Sequence, residues 1–146
     1  MTGTVTELRP TITVDDTRLV WAPADASKML DGAWWPTSRD APTEITALVP
    51  HASRQLGGAV TRVSLNIDSW GPDQPRRLTV GDTLVRLGWF HTLDAATITL
   101  ARGSFDRITL VVIPPDYDAA IASNLMQHLS TATTWPDDAA MVLTGR

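Results

Sequence analysis

The 146-residue chain contains no cysteine, and lysine is nearly absent from it. Without cysteine, neither a disulfide bond nor a thiolate metal site can form, which fits a reducing compartment. Lys28 is the single lysine among twelve basic residues, so arginine supplies almost all of the positive charge. Arginine favours fixed, bidentate contacts with anions, although a GC-rich coding sequence accounts for the same bias more simply.

The sequence also lacks a run of positive charge and a long hydrophobic segment. Sixteen acidic residues against twelve basic ones give a net charge of −4 and a pI near 5.1. This balance disfavours nucleic acid and anionic membranes as partners. The apolar runs are short; Leu110 to Ile113, for example, has the length of a strand, and Met1 to Pro10 is polar. We therefore expect no membrane span, no signal peptide and a cytoplasmic location.

Sequence signatures of catalysis are missing as well. The chain has no nucleophile elbow, no P-loop, no dinucleotide-binding glycine motif and no His-Glu-x-x-His helix. Its histidines, His51, His91 and His128, are far apart, and no two have a short metal-ligand spacing. His91 and Asp94 can orient an imidazole for acid–base catalysis, but ordinary turn chemistry is the preferred interpretation. The sequence predicts no catalytic residues, no metal and no cofactor.

Length and composition favour a single domain. Hydrophobic residues make up 43% of the chain, which suffices for a core without disulfides or metals. Residues 1–13 are polar and aperiodic, which predicts an N-terminal tail, and residues 133–146 are interpreted as a C-terminal tail. Residues 14–132 then form the domain, since no repeat or long linker divides them.

Two helices are predicted from apolar periodicity. Asp40 is suited to cap the first helix and Gly57 to end it, whereas Pro50 removes a backbone donor, so we expect a kink or two short helices. Asp116 is suited to cap the second helix. The inward residues of the first helix are Ile45, Leu48, Val49, Ala52 and Leu56. Those of the second are Ile121, Ala122, Leu125, Met126 and Leu129.

Strands are predicted where apolar residues alternate with polar ones or form short runs. The predicted ranges are 17–22, 62–68, 77–80, 83–90, 97–101 and 105–113. Gly81-Asp82 and Gly103-Ser104 are typical of tight turns between consecutive strands. Consecutive strands with short turns favour an antiparallel order with helices on one face. The predicted fold is α+β, with one antiparallel β-sheet of about five to six strands and two helices packed on it.

Residues 31–40, Asp-Gly-Ala-Trp-Trp-Pro-Thr-Ser-Arg-Asp, are the most informative segment of the chain. We interpret them as an ordered loop, since the core or a partner must offset the entropy lost on ordering two tryptophans. Adjacent side chains in an extended segment point in opposite directions, so one ring of the Trp34-Trp35 pair is expected to enter the core. The other ring covers the sheet edge, stacks on a planar ligand or anchors a partner.

Charged residues next to the tryptophans admit two interpretations. Arg39 either locks the loop through a bidentate pair with Asp31 or Asp40, or presents its outer edge to an anion at the helix start. The first interpretation is preferred, because a carboxylate at the helix start opposes a bound anion. Asp116 and Tyr117 are interpreted first as the start of the second helix and second as a carboxylate site.

Arg86 lies among apolar residues in its predicted strand. Such surroundings predict a strand covered on both faces and a buried guanidinium, which needs an acidic partner. The candidate partners are Asp31, Asp40 and Asp116. A structural ion pair and a ligand pocket are equally favoured; in the pocket, Gly88 makes room for the ligand and Trp89 forms a wall.

Several segments together resemble a known family. They are residues 31–36 (DGAWWP), 38–40 (SRD), 77–78 (RL), 85–90 (VRLGWF) and 111–116 (VVIPPD). From about Thr17 to Met126, the chain is similar to a family of small actinobacterial proteins catalogued as a domain of unknown function. The resemblance implies a single cytosolic domain. It implies no catalytic or binding residues, since that family has no assigned activity.

The preferred functional hypothesis is a non-catalytic binding or interaction module. Its ligand is expected to be a small polar or anionic molecule, or a protein segment that adds to a sheet edge. An enzyme with Arg39, Asp40, Arg86 and His91 in one cleft is the first alternative. A homodimer or larger homo-oligomer with the tryptophan surface as its interface is the second. The predicted surface comprises Trp34, Trp35, Arg39, Asp40, Arg86, Trp89, Asp116 and Tyr117.

Overall fold

A computed structural model describes residues 18–144, so the predicted N-terminal tail of residues 1–13 lies outside the described part. The strands are β1 (Leu19–Trp21), β2 (Gly32–Trp34), β3 (Arg62–Asn66), β4 (Arg77–Val80), β5 (Thr83–Phe90), β6 (Thr97–Arg102) and β7 (Asp106–Val112). The helices are α1 (Ala41–Leu56), α2 (Ala119–Thr131) and α3 (Ala139–Thr144). Within the described range, no helix has both the length and the apolar character needed to cross a membrane.

All seven strands belong to one mixed sheet, in the order β1-β2-β7-β6-β3-β5-β4. β2 runs parallel to β7, and β3 runs parallel to β5, whereas the other neighbours are antiparallel. The predicted α+β class is confirmed. The prediction of a purely antiparallel sheet with fewer strands is wrong.

Two features of the chain explain the differences in the sheet. β2 lies inside the segment predicted as a loop, and its three residues are all buried, so polar and apolar residues do not alternate there. β3 and β5 are parallel because the connection from Ile67 to Arg76 is long enough to carry the chain past the position of β5. β4 then pairs with β5 through the predicted tight turn at Gly81, which has φ of 61°.

Helix α1 begins and ends where the sequence predicts. Asp40 is its N-cap residue, and Gly57 follows its last turn in the left-handed conformation, at φ of 76°. The sequence predicted a kink or two short helices at Pro50; the structure has one continuous helix with Pro50 inside it, so the second alternative is wrong. Pro50 and Thr46, whose carbonyl would normally accept from residue 50, are both exposed, so water can satisfy that oxygen.

Helix α2 begins two residues later than predicted. Asp118 caps it, with Oδ1 accepting from two backbone N–H groups of the first turn at 2.9 and 3.1 Å. The predicted cap at Asp116 is therefore wrong, because a turn closed by the Tyr117 N–H and the Pro114 carbonyl precedes the helix. Ile121 is exposed, which corrects its predicted inward orientation. The other predicted inward residues are buried: Ala122, Leu125, Met126 and Leu129.

The two sides of the sheet bury two separate hydrophobic cores. The first core lies between the sheet and α1, and the second lies between the β1-β2-β7 end of the sheet and helices α2 and α3. Residues 133–144, predicted to form a tail, supply Trp135 and Val142 to the second core. Helices therefore cover both faces of the sheet at one end, in contrast to the one-sided arrangement predicted.

The Trp34-Trp35 pair contributes one ring to each core. The Trp34 ring is 3% exposed and stacks on Trp70 in the first core, with 5.7 Å between ring centroids. The Trp35 residue is 8% exposed and lies in the second core, where the Arg18 guanidinium sits 3.4 Å from its ring centroid. Both rings are thus buried, whereas one was expected to cover the edge or face a partner.

A buried carboxylate on α1 holds the segment that follows the two tryptophans. Glu44 is 7% exposed, and its two oxygens accept from the Thr37 N–H at 2.9 Å, the Thr37 hydroxyl at 2.8 Å and the Ser38 hydroxyl at 2.9 Å. The pKa of Arg18 is lowered, because burial disfavours the charged guanidinium, and the negative charge of Glu44 opposes this shift. Glu44 therefore interacts electrostatically with Arg18, the residue that lies over the Trp35 ring. Glu44 was not among the predicted site residues.

Replacement of Glu44 by glutamine is expected to lower the free energy of unfolding by about 2 kcal/mol, because an amide nitrogen cannot accept the bonds that a carboxylate oxygen accepts. Urea denaturation measures this change. Gln55→Ala, an exposed change on the same helix, serves as the control and is expected to alter stability by less than about 0.5 kcal/mol. Equal stability of Glu44→Gln and the control would contradict the assigned role.

The second core has a pH-sensitive contact at its rim. Asp137 Oδ1 accepts from the Ser27 hydroxyl at 2.7 Å and from the Lys28 N–H at 2.9 Å, and these bonds lower the pKa of Asp137. A lowered folded-state pKa contributes stability that is present above the unfolded-state pKa and disappears as the pH falls through the folded-state value.

In the Asp137→Asn variant, the free energy of unfolding is therefore expected to fall less steeply as the pH decreases below about 4 than it does in the unchanged protein. Urea denaturation at a series of pH values measures the slope for both proteins. Ser27→Ala removes the largest cause of the shift and should change the slope in the same direction. Parallel slopes for Asp137→Asn and the unchanged protein would show that the contact does not act in solution.

Candidate functional site

The predicted site residues do not form one surface. Trp34 and Trp35 are buried in the two cores, and Asp40 lies at the start of α1, where its carboxylate accepts from the Thr43 hydroxyl. Tyr117 is half-buried against the second core. The remaining predicted residues lie in two separate cavities. Arg39 belongs to the first cavity, where it pairs with Asp116, and Arg86 and Trp89 line the second.

The first cavity, of about 400 Å³, contains Arg39 at its edge. Arg39 Nη1 donates to the Ser69 carbonyl at 2.7 Å, and Nη2 donates to Asp116 Oδ1 at 3.2 Å. The expected pairing of Arg39 with Asp31 or Asp40 is wrong. Asp31 instead accepts from the Thr109 N–H at 2.8 Å, which fastens β2 to β7. Arg39 thus ties the loop before α1 to the turn before α2.

The four residues of the proposed enzyme cleft do not line one common cavity. Asp68 lines the Arg39 cavity, and its Oδ2 atom lies 3.6 Å from His91 Nδ1, with both side chains exposed. Arg86 lies in the second cavity, so it does not share a cavity with Arg39. Among residues 18–144, no group of three or more His, Asp or Glu side chains is placed to hold a metal ion.

Arg86 is exposed, which corrects the expectation of a buried guanidinium with an acidic partner. Val85 and Leu87 on either side of it point into the first core, so Arg86 points to the opposite side of β5. Leu84 and Phe90 alternate with the core residues in the same way, and both are exposed. Because these apolar residues lie on the solvent side together with Arg86, the sequence of β5 looks like that of a strand buried on both faces, although only one face is covered.

Strand pairing places Arg86 between two further arginines. Arg86 of β5 pairs with Arg62 of β3 on one side and with Arg77 of β4 on the other. Directly paired residues point to the same side of a sheet, and neighbouring strands lie about 4.8 Å apart. Arg62, Arg86 and Arg77, which we call the arginine row, therefore stand side by side. On the other side of Arg62, the series of directly paired residues continues across the sheet through Ala101 of β6 to Arg107 of β7.

The arginine row lies on the side of β3, β5 and β4 that faces away from α1, which we call the open face. All three arginines are exposed. Between residues 18 and 144, basic side chains contact carboxylates in three pairs, Arg39–Asp116, His91–Asp68 and Arg102–Asp106, and none of these pairs involves the row. The row thus carries three positive charges with no carboxylate of the described chain in contact.

The floor beside the arginine row is built from small residues. Two positions along the strands on the same face, Ser64 of β3 pairs with Gly88 of β5. The Phe90 ring covers Gly88, since its Cε2 and Cζ atoms lie 2.7 and 2.9 Å from the place that a Cβ of residue 88 would occupy. The arginine row, this floor of small residues and the Phe90 ring all border one cavity of about 830 Å³.

Trp89 does not join the arginine row. Its ring packs against the first core, on the other side of β5 from Arg86, and its Nε1 donates to the Pro75 carbonyl at 2.9 Å. Arg76, adjacent to the row, also lines the cavity of the open face. The Arg76-Arg77 pair is visible in the sequence, but its alignment with Arg62 and Arg86 depends on the order of β3, β5 and β4.

Comparison with known proteins gives one family and no function. A family model described as a family of unknown function, DUF5994, matches residues 18–129. No curated protein and no solved structure matches the chain significantly. The matched range includes every strand, all of α1 and most of α2. The chain therefore belongs to DUF5994, a family of unknown function.

Proposed function

We propose that the protein is a binding module whose arginine row holds a phosphate-bearing anion. The observation that carries the proposal is the alignment of Arg62, Arg86 and Arg77 across three neighbouring strands of the open face. A guanidinium is planar, permanently charged and able to donate two parallel hydrogen bonds to phosphate. Three of them over about 10 Å suit a ligand with several negatively charged oxygens.

This alignment is unfavourable for the protein by itself. Like charges directly opposite each other on neighbouring strands destabilise a sheet by roughly 0.2–1 kcal/mol per pair. An acidic neighbour would remove the repulsion, but the ion pairs among the described residues leave the arginine row out. A bound anion would neutralise the row, so the repulsion supports a role in binding over a role in stability.

The surroundings of the row also suit an anion. Arg76 adds a fourth guanidinium to the same cavity, and Ser64 offers a hydroxyl donor on its floor. The chain as a whole carries a net charge of −4, so the positive surface is local. A local positive strip suits a compact ligand better than a long polyanion, which requires many basic contacts.

Replacement of Arg86, the middle residue of the row, by glutamine is expected to weaken the binding of inorganic triphosphate at least about tenfold. The same change is expected to raise the free energy of unfolding by about 0.4–2 kcal/mol, because two like-charge pairs disappear. Isothermal titration calorimetry at low ionic strength measures the first quantity, and urea denaturation measures the second.

Arg54→Gln is the matched control, since Arg54 is exposed on α1, on the other side of the sheet. It should change triphosphate affinity less than about twofold. A loss of stability in Arg86→Gln would point to a structural role for the arginine. Failure of the unchanged protein to bind triphosphate, or equal weakening by both variants, would contradict the proposal.

A further inference from the structure

We infer that the ligand of the open face is a nucleotide, whose phosphates lie on the arginine row and whose base stacks on Phe90. This inference rests on the proposed function, because it requires that the row binds phosphate. It adds a second recognition element, an exposed aromatic ring placed across the floor of the same cavity. A cavity that offers both arginines for phosphate and an aromatic ring for stacking suits a ligand that carries both phosphates and a planar base.

Phe90 is placed as a stacking platform. It is 46% exposed although it is a large apolar residue, and it borders the cavity that the arginine row also borders. Its ring leans over Gly88, where the absence of a Cβ makes room for it. Gly88 thus contacts one side of the ring, while the outer surface of the ring remains in solvent. A planar base can cover that surface.

The spacing of the two elements matches one small ligand. Arg86 and Phe90 lie on the same face of β5, four residues apart, which separates their Cα atoms by about 13 Å. The Phe90 ring leans back over Gly88, two residues from Arg86, so the ring lies about 7 Å from the arginine row along the strand, a distance that the sugar of one nucleotide can bridge. The ring of Phe90 occupies the space above Gly88, and Ser64, the partner of Gly88 on β3, has a small side chain, so a sugar can lie above Ser64 beside the ring.

A free nucleotide fits the open face better than a strand of nucleic acid. The arginine row and Arg76 form a short positive strip in a chain of net charge −4. Phe105, the other phenylalanine, lies at the β6–β7 turn and outside this cavity. One aromatic ring beside one short arginine row can therefore bind one base and the phosphates attached to it. Proteins that bind a single strand of nucleic acid commonly use several stacking residues.

The test compares ATP with inorganic triphosphate by calorimetry on the full chain, at equal ionic strength and without metal ions. ATP is expected to bind about tenfold more tightly than inorganic triphosphate, since stacking of the base adds to phosphate binding. Phe90→Ala should remove this difference and leave inorganic triphosphate affinity unchanged. Phe90→Leu keeps an apolar side chain that supports the fold, and it should also lose the preference for ATP.

Phe105→Ala is the control, because Phe105 is 91% exposed and away from the cavity; it should retain the full preference for ATP. Equal affinities for ATP and inorganic triphosphate, or an unchanged preference in both Phe90 variants, would overturn the inference while the proposed function stands. Tighter binding of a short oligo(dA) than of ATP would overturn it in favour of a nucleic-acid strand. No binding of inorganic triphosphate would instead contradict the proposed function itself.

Discussion

The buried carboxylate of Glu44 is the interaction on which the two-sided fold depends. The neighbouring residues Trp34 and Trp35 belong to different cores, so a shift of the segment by one residue would exchange their faces. Glu44 binds Thr37 and Ser38 directly after this pair and thereby fixes its register against α1. The hydrogen bonds offset the burial of its charge, which would otherwise be strongly unfavourable.

This constraint determines where the sheet is covered. On the side of the sheet that contains Trp35, α2 and α3 pack against the β1-β2-β7 end, and on the other side α1 covers the sheet. The open face of β3, β5 and β4 carries exposed Arg62, Arg77 and Arg86. The same strands thus have a well-packed side that holds them rigid and a polar side available for contacts. A rigid sheet is a suitable base for a binding surface, because its side chains need little reordering.

Local sequence signals predicted several elements well. The alternation and the Gly81-Asp82 turn predicted β4 and β5 at their observed bounds, and the caps at Asp40 and Gly57 predicted α1. Pairing between distant strands leaves no such local signal, so the parallel pairs and the arginine row were not predicted. Arg86 was misjudged for a related reason: the exposed apolar residues Leu84 and Phe90 hid the alternation that separates it from the core.

We propose the arginine row, and not the Arg39 cavity, as the anion site. Titration of the protein with inorganic triphosphate, followed by NMR of the arginine Nε–H groups, tests it most directly. We expect saturable shifts of the Arg62, Arg77 and Arg86 resonances with little change at Arg39, because the Arg39 guanidinium is already hydrogen-bonded to Ser69 and Asp116. Shifts confined to Arg39, or no saturable shift in the row, would contradict it.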